Sequence, residues 1–267
     1  MNRKFKDQMG AEIHLHERPL RIISLVPSQT ELLSYWGLED RIVGITKFCI
    51  HPKNCFETKA KVGGTKKVNF EAIKALNPDL IIGNKEENAK SDIEYLQKHY
   101  PVWMSDISSL EDCYVMMQKL GELLECSDKA AEMILSLKGS FSNLKPEKSA
   151  AEAPRVAYFI WREPYMVAAS DTFIDEMLKV AGFRNVFESF SRYPEIDMEL
   201  LVKLNPNLIF LSSEPYPFKE KHLAFFKQIC PRAELSIVDG ELFSWYGSRL
   251  LKSADYFMEL QSKFSKI

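Results

Sequence analysis

One unit occurs twice in this chain, and that duplication leaves few folds open. VNFEAIKALNPDLIIG (Val68–Gly83) is answered by EIDMELLVKLNPNLIFL (Glu195–Leu211), with Leu76-Asn77-Pro78 matched by Leu204-Asn205-Pro206. Each copy reads as a short helix, capped by Asn69 or Asp197 and stopped at Asn-Pro, because proline turns the residue before it away from helical backbone. Each then feeds an apolar run too short for a helix and rich in Ile and Leu, the pattern of a parallel strand buried on both faces. A second echo keeps the same order. RIISLVPSQTELLSYWGLEDRIVGI (Arg21–Ile45) runs strand, capped helix, Gly, strand, and so does the stretch from Arg155 to Phe187. The expectation is an α/β fold of two Rossmann-like lobes with mainly parallel sheets.

Between the copies lies SDKAAEMILSLKGSFSNL (Ser127–Leu144), whose Ala130, Met133, Ile134, Leu137, Phe141 and Leu144 recur at helical spacing. It reads as a long backbone helix joining the lobes. The expected organisation is residues 1–108 as the N-terminal lobe, 109–150 as linking helices including the backbone helix 127–144, and 151–267 as the C-terminal lobe. The polar stretch Lys145–Pro154 is the expected exit from that helix. A chain of 267 residues has enough length for two cores. A formal net charge of −2 gives no electrostatic case for nucleic acid, and the five cysteines, odd in number and scattered, suit reduced thiols better than a disulfide framework. Met1–Pro19 lacks the apolar core of a signal peptide, so the chain as written is expected in the cytoplasm.

Several local signals carry both a structural and a chemical reading. Ala11–Leu15 reads as one arm of a hairpin covering a sheet edge; His14 and His16 share a face there, either as a metal pair or, as the composition of edge strands favours, as solvated side chains. Ser28 and Glu31 have capping-box spacing at the start of the first long helix, where free amides could also face a ligand. Cys49, His51 and Cys55 lack a fourth partner for structural zinc. Gly63-Gly64-Thr65-Lys66-Lys67 lacks the spacing of a P-loop. No set of side chains has the spacing of a catalytic triad or an acid/base pair, so no catalytic residue is assigned.

The functional signal is an accumulation of rings and cations after predicted strand ends. In open parallel sheets ligands bind beyond the carboxyl ends of the strands. Pro27, Ser28, Lys47, Phe48 and Lys85 fall there in the first half, and Trp161, Arg162, Tyr165, Tyr193, Tyr216, Trp245, Tyr246 and Arg249 in the second. Flat rings with cations suit a planar or anionic ligand, although aromatic residues also close the ends of cores.

RIISLVPSQTELL, GGTKKVNFEAIKALNPDLIIGNKEEN, WREPYMVAASDTFIDEMLKVAGFRNVF and MELLVKLNPNLIFLSSEPYPF resemble the class III, helical-backbone substrate-binding proteins of ABC importers, in the cobalamin and iron-chelate branch. The resemblance covers nearly the whole chain. It implies a monomer without a covalent cofactor, holding a metal chelate (cobalamin, haem or a ferric siderophore) in a cleft between lobes and delivering it to an ABC permease dimer. It further implies that Glu71 and Glu199, at matching points of the duplicated unit, dock onto the permease. Where cobalamin binders carry tryptophans flanking the corrin, this chain has Thr65 and Asn84. The family is normally exported or lipid-anchored, which makes periplasm or cell envelope the alternative to the cytoplasm. The second functional expectation is a cytoplasmic metal-chelate-handling enzyme or metallochaperone on the same frame.

Overall fold

The computed structural model describes residues 3–144 and 152–267, so most of the expected Lys145–Pro154 exit lies outside the described residues. The chain divides into two compact units. The first comprises Met1–Ile107, Glu111–Ser136 and Tyr246–Arg249; the second comprises Ser108–Leu110, Leu137–Trp245 and Leu250–Ile267.

The first unit opens with a hairpin, β1 (Arg3–Lys6) antiparallel to β2 (Glu12–Leu15). Its turn reaches the edge of the main sheet, since the Met104 amide donates to the Asp7 carboxylate at 3.3 Å and the Gln8 amide to the Met104 carbonyl at 3.1 Å. Then follow β3 (Ile22–Ser24), α1 (Pro27–Tyr35), β4 (Ile42–Ile45), α2 (Lys53–Thr58), β5 (Ala60–Lys61), α3 (Phe70–Leu76), β6 (Leu80–Asn84), α4 (Lys90–Gln97), β7 (Val102–Ser105) and α5 (Leu110–Leu124). The expected backbone helix is α6 (Ser127–Ser142). The sheet order is β5-β4-β3-β6-β7, with every neighbouring pair parallel. Because β6 lies on the other side of β3 from β4, the winding direction reverses between β3 and β6.

The second unit repeats this with β8 (Arg155–Trp161), β9 (Met166–Val167), α7 (Phe173–Val180), β10 (Arg184–Asn185), α8 (Met198–Leu204), β11 (Leu208–Ser212), α9 (Leu223–Ile229), β12 (Glu234–Val238), α10 (Gly240–Ser244) and α11 (Leu250–Lys263). Its parallel order is β10-β8-β11-β12, with β9 antiparallel on β8, and its reversal falls between β8 and β11. The duplicated strands even keep register: Ile22 pairs with Leu80 in one unit and Val156 with Leu208 in the other.

The repeat is built by the same chemistry in both units. Asn69 and Asp197 cap α3 and α8 by accepting from the Ala72 and Leu200 amides. Both helices end on an asparagine in left-handed backbone, Asn77 at φ 42° and Asn205 at φ 47°, a conformation that asparagine tolerates better than most residues. The orphan carbonyls of the last turn are then taken by an arginine at the entry to the central strand, just before β3 in one unit and at the start of β8 in the other. Arg21 Nε donates to the Leu76 carbonyl at 3.0 Å, and Arg155 Nη2 to the Leu204 carbonyl at 2.7 Å. Ile73 and Leu201, at equivalent points, are fully buried in the two cores; full burial of such a side chain contributes about 1.5–3 kcal/mol. No helix among the described residues is long and apolar enough to cross a membrane.

Candidate functional site

The site of each unit is read from the reversal point of its sheet, where helix starts and loops converge beyond the strand ends. In the first unit a buried amide network holds these loops. Asn84, at the end of β6, accepts from the Glu86 amide at 2.8 Å and the Glu87 amide at 3.0 Å, and donates to Ser105 Oγ at 3.0 Å. Gln29 of α1 donates to the same Ser105 Oγ at 2.6 Å. Asn88 accepts from the Asn84 amide at 2.8 Å and donates to the carbonyls of Leu25 at 3.3 Å and Thr65 at 3.1 Å. Gly83 makes room for it, since a Cβ there would sit 2.8 Å from Asn88 Oδ1. Asn84 is therefore a buried brace, not a wall of the site, and Thr65 joins it through its backbone alone.

Around this brace stand the exposed groups. Lys47 Nζ lies 5.0 Å from the centre of the Phe48 ring, and Phe48 is 49% exposed against Gly64. Lys66 donates to the Glu86 carbonyl, and Lys85 pairs with Asp106 at 2.6 Å.

Three sequence expectations are corrected in this unit. Ser28 is not the helix cap, because Pro27 opens α1 one residue earlier, which leaves Val26 at the cap position with no side-chain bond. Glu31 does not complete a capping box; it forms a two-pronged ion pair with Arg249, at 3.0 Å to Nε and 2.8 Å to Nη2. Tyr246 and Arg249 are 7% and 9% exposed and belong to the first unit, so they act as its packing and not as open walls. Tyr246 has its hydroxyl raised well above the ordinary value by burial and the Glu87 charge, with Ser105 and Ser28 pulling the other way.

In the second unit four of the expected residues come together. Trp161, 39% exposed at the end of β8, meets Tyr216 edge-on at 5.8 Å. Arg162 is hydrogen-bonded by Tyr216 and Tyr165, which hold its guanidinium above the ordinary range, and pairs with Glu163 at 3.0 Å. Tyr165 is anchored on Phe159, Phe225 and Phe226. Trp245 is buried, and its indole donates to Glu214 at 3.3 Å, two residues ahead of Tyr216. Tyr193 instead lies beside Arg192, 6.0 Å from its guanidinium.

Sequence reasoning missed His222. Its ring lies 5.7 Å from that of Tyr216, and its Nδ1 accepts from the Lys219 amide at 2.8 Å. Burial, then Lys221 and Arg162, lower its pKa, favouring the neutral form. The signal was the three-residue spacing from Lys219, a cap pattern normally filled by other residue types. Cys49 is buried against the Thr30 and Thr46 hydroxyls, each at 3.1 Å, and no cluster of three metal-ligating side chains occurs among the described residues.

Comparison with known proteins accords with this geometry. The family model described as periplasmic binding protein matches residues 22–232. An uncharacterized ABC transporter substrate-binding lipoprotein of Bacillus subtilis, YvrC, is 27% identical over 211 residues, 76% of this chain and 67% of that protein. A vitamin B12-binding protein of Vibrio parahaemolyticus is 26% identical over 194 residues, covering 72% of this chain and 70% of its own. Among solved structures, the periplasmic haem-binding protein BhuT with two haems superposes with a TM-score of 0.79 at 20% identity, over 92% of this chain and 99% of that one, which shows a shared fold. These matches correct the cytoplasmic expectation: the relatives are periplasmic proteins or lipoproteins, which points outside the cytoplasm. The family is one of solute-binding proteins, and nothing in the matches supports the enzyme or metallochaperone expectation. With the family model spanning most of its length and both sheets carrying their loops at like reversal points, this chain belongs to the periplasmic binding protein family.

Proposed function

We propose that this chain is the substrate-binding protein of an ABC importer, a monomer that carries a metal chelate of the cobalamin, haem or ferric-siderophore kind. The observation that carries this reading is the family match over residues 22–232, together with rings and polar loops gathered beyond the strand ends of both units. The residues assigned to ligand contact are Trp161, Arg162, Tyr165 and Tyr216 in the second unit, and Lys47, Phe48 and Lys85 with Pro27 and Ser28 of α1 in the first. Lys85 and Arg162 both have carboxylate partners, so these cations orient polar edges of the ligand more than they attract its net charge. The chain binds and hands over its ligand and performs no chemistry on it.

Glu71 and Glu199 dock this protein onto a permease dimer. In support, both are exposed in the first turn of the duplicated helix, two residues after its cap. The dipole accounts for one such carboxylate by about 0.3–1 kcal/mol, but not for its repetition. The test is titration of the purified protein with cyanocobalamin, haemin and ferrichrome, followed by absorbance and tryptophan fluorescence. One of the three should saturate at a single site, and Trp161→Ala should weaken it about tenfold or more. Saturation by none, or an unchanged Trp161→Ala variant, refutes the ligand reading. Glu71→Arg with Glu199→Arg should abolish uptake and leave ligand affinity intact; normal uptake refutes the docking reading.

A further inference from the structure

The duplication extends to a stretch that the motifs above do not use. Tyr95-Leu96-Gln97-Lys98-His99-Tyr100-Pro101 aligns with Phe225-Phe226-Lys227-Gln228-Ile229-Cys230-Pro231, each running from a helix (α4, α9) through proline into the next parallel strand. The inner member of each pair does the expected work, since Leu96 and Phe226 are buried in their cores. The outer member does not: Tyr95 is 46% exposed and Phe225 39%. Single exposed rings are ordinary. Tyr35, 61% exposed, is such a case, because Val180 stands at its place in the second copy. A ring exposed at the same point of both copies calls for a common cause.

Tyr95 is fastened directly to the segment that starts the glutamate-bearing helix, and Phe225 is linked to it through Tyr165. Tyr95 packs on Phe70 with ring centres 4.4 Å apart, and Phe70 is the residue before Glu71. Phe225 stacks on Tyr165 at 5.7 Å and 9°, and the Tyr165 carbonyl accepts from the Ile196 amide, just ahead of the Asp197 cap and three residues before Glu199. A carboxylate with a flat ring fixed to the same short segment is a matched receptor for one side chain above others. Arginine pairs with a carboxylate through its planar fork and also stacks on an aromatic face, where lysine satisfies only the charge.

We propose that Tyr95 and Phe225 complete two like contact points, one per unit, on which arginine side chains of the permease seat. The proposal rests on the docking reading of Glu71 and Glu199. A partner built of two like subunits supplies two like sites, which accounts for the ring recurring with the carboxylate. The carboxylates set the charge; the rings supply desolvated contact area and orientation.

The test uses the full chain and native membrane vesicles of the organism that carries it. A photo-reactive benzoylphenylalanine at position 95 or 225 should give adducts containing peptides of an ABC permease subunit, and at position 35 should not. Tyr95→Ala with Phe225→Ala should weaken vesicle binding about tenfold or more, and Tyr95→Ala alone, which leaves the Tyr165 anchor in place, should weaken it with titrations by cyanocobalamin, haemin and ferrichrome unchanged. Tyr95→Leu with Phe225→Leu, which keeps the packing and removes the rings, should also weaken it. If the ring variants bind as wild type while Glu71→Arg with Glu199→Arg does not, this inference fails and the docking reading stands. If neither set alters binding, both fail. Adducts containing only a second copy of this chain also overturn it.

Discussion

Arg249→Met separates a structural arginine from a ligand-binding one. The guanidinium and the Glu31 carboxylate meet through two contacts of 3.0 and 2.8 Å, with side chains 10% and 20% exposed. Removing one partner of a well-buried pair costs about 3–5 kcal/mol, because the other charge remains in a poor solvent. Glu31 retains some water, so about 2–4 kcal/mol is expected here. Replacing both partners, Glu31→Gln with Arg249→Met, should cost less than Arg249→Met alone, since no uncompensated charge is left. At about 3 °C per kcal/mol for a unit of this size, the single change should lower the melting temperature by about 6–12 °C. Urea unfolding followed by fluorescence reads the first unit through the buried Trp36 and Trp103. Ligand affinity, measured on the protein that remains folded, should stay within about twofold, because the guanidinium is committed to Glu31. An unchanged urea midpoint with a lost ligand response would refute this reasoning and return Arg249 to the binding surface.

Three further outcomes follow from particular contacts. Asn205→Ala should cost about 1 kcal/mol and Asn205→Gly close to nothing, because the φ of 47° penalises a Cβ that has no compensating polar group; equal urea midpoints for the two would refute this. Gly240→Ala should cost about 1–3 kcal/mol, since the added Cβ would fall 2.3 Å from Ser212 Oγ and 2.7 Å from Glu214 Cγ, and it should disturb the Glu214 to Trp245 bond in the fluorescence spectrum. For His222, the folded-state pKa is depressed, so the unfolded chain binds the proton first as pH falls below the ordinary histidine value of 6.5. Stability is therefore lost on acidification from there toward the folded pKa, and His222→Asn, which keeps the acceptor for the Lys219 amide, should flatten that part of the profile.

The duplicated unit was legible in the sequence because its signals are local. A cap, a proline and an apolar run act within a few residues of themselves, so Asn69, Asn77 and the β6 run, with their copies at Asp197, Asn205 and β11, could be read without partners. The short strands β5 and β9 were not legible, since two residues carry no periodicity and are strands only through the neighbour they pair with. The same distinction divides the site. That rings and cations gather after strand ends is a matter of order along the chain, and the sequence determined it, as it determined the family. Which of them are open was decided by tertiary structure alone. Arg249 met Glu31 from 218 positions away, Trp245 turned its indole onto Glu214, and Asn84 and Asn88 were drawn inward to brace the loops around them. Burial and pairing are relations between distant residues, and a polar group's meaning changes with its partner: in water it awaits a ligand, and in a buried pair it is already satisfied.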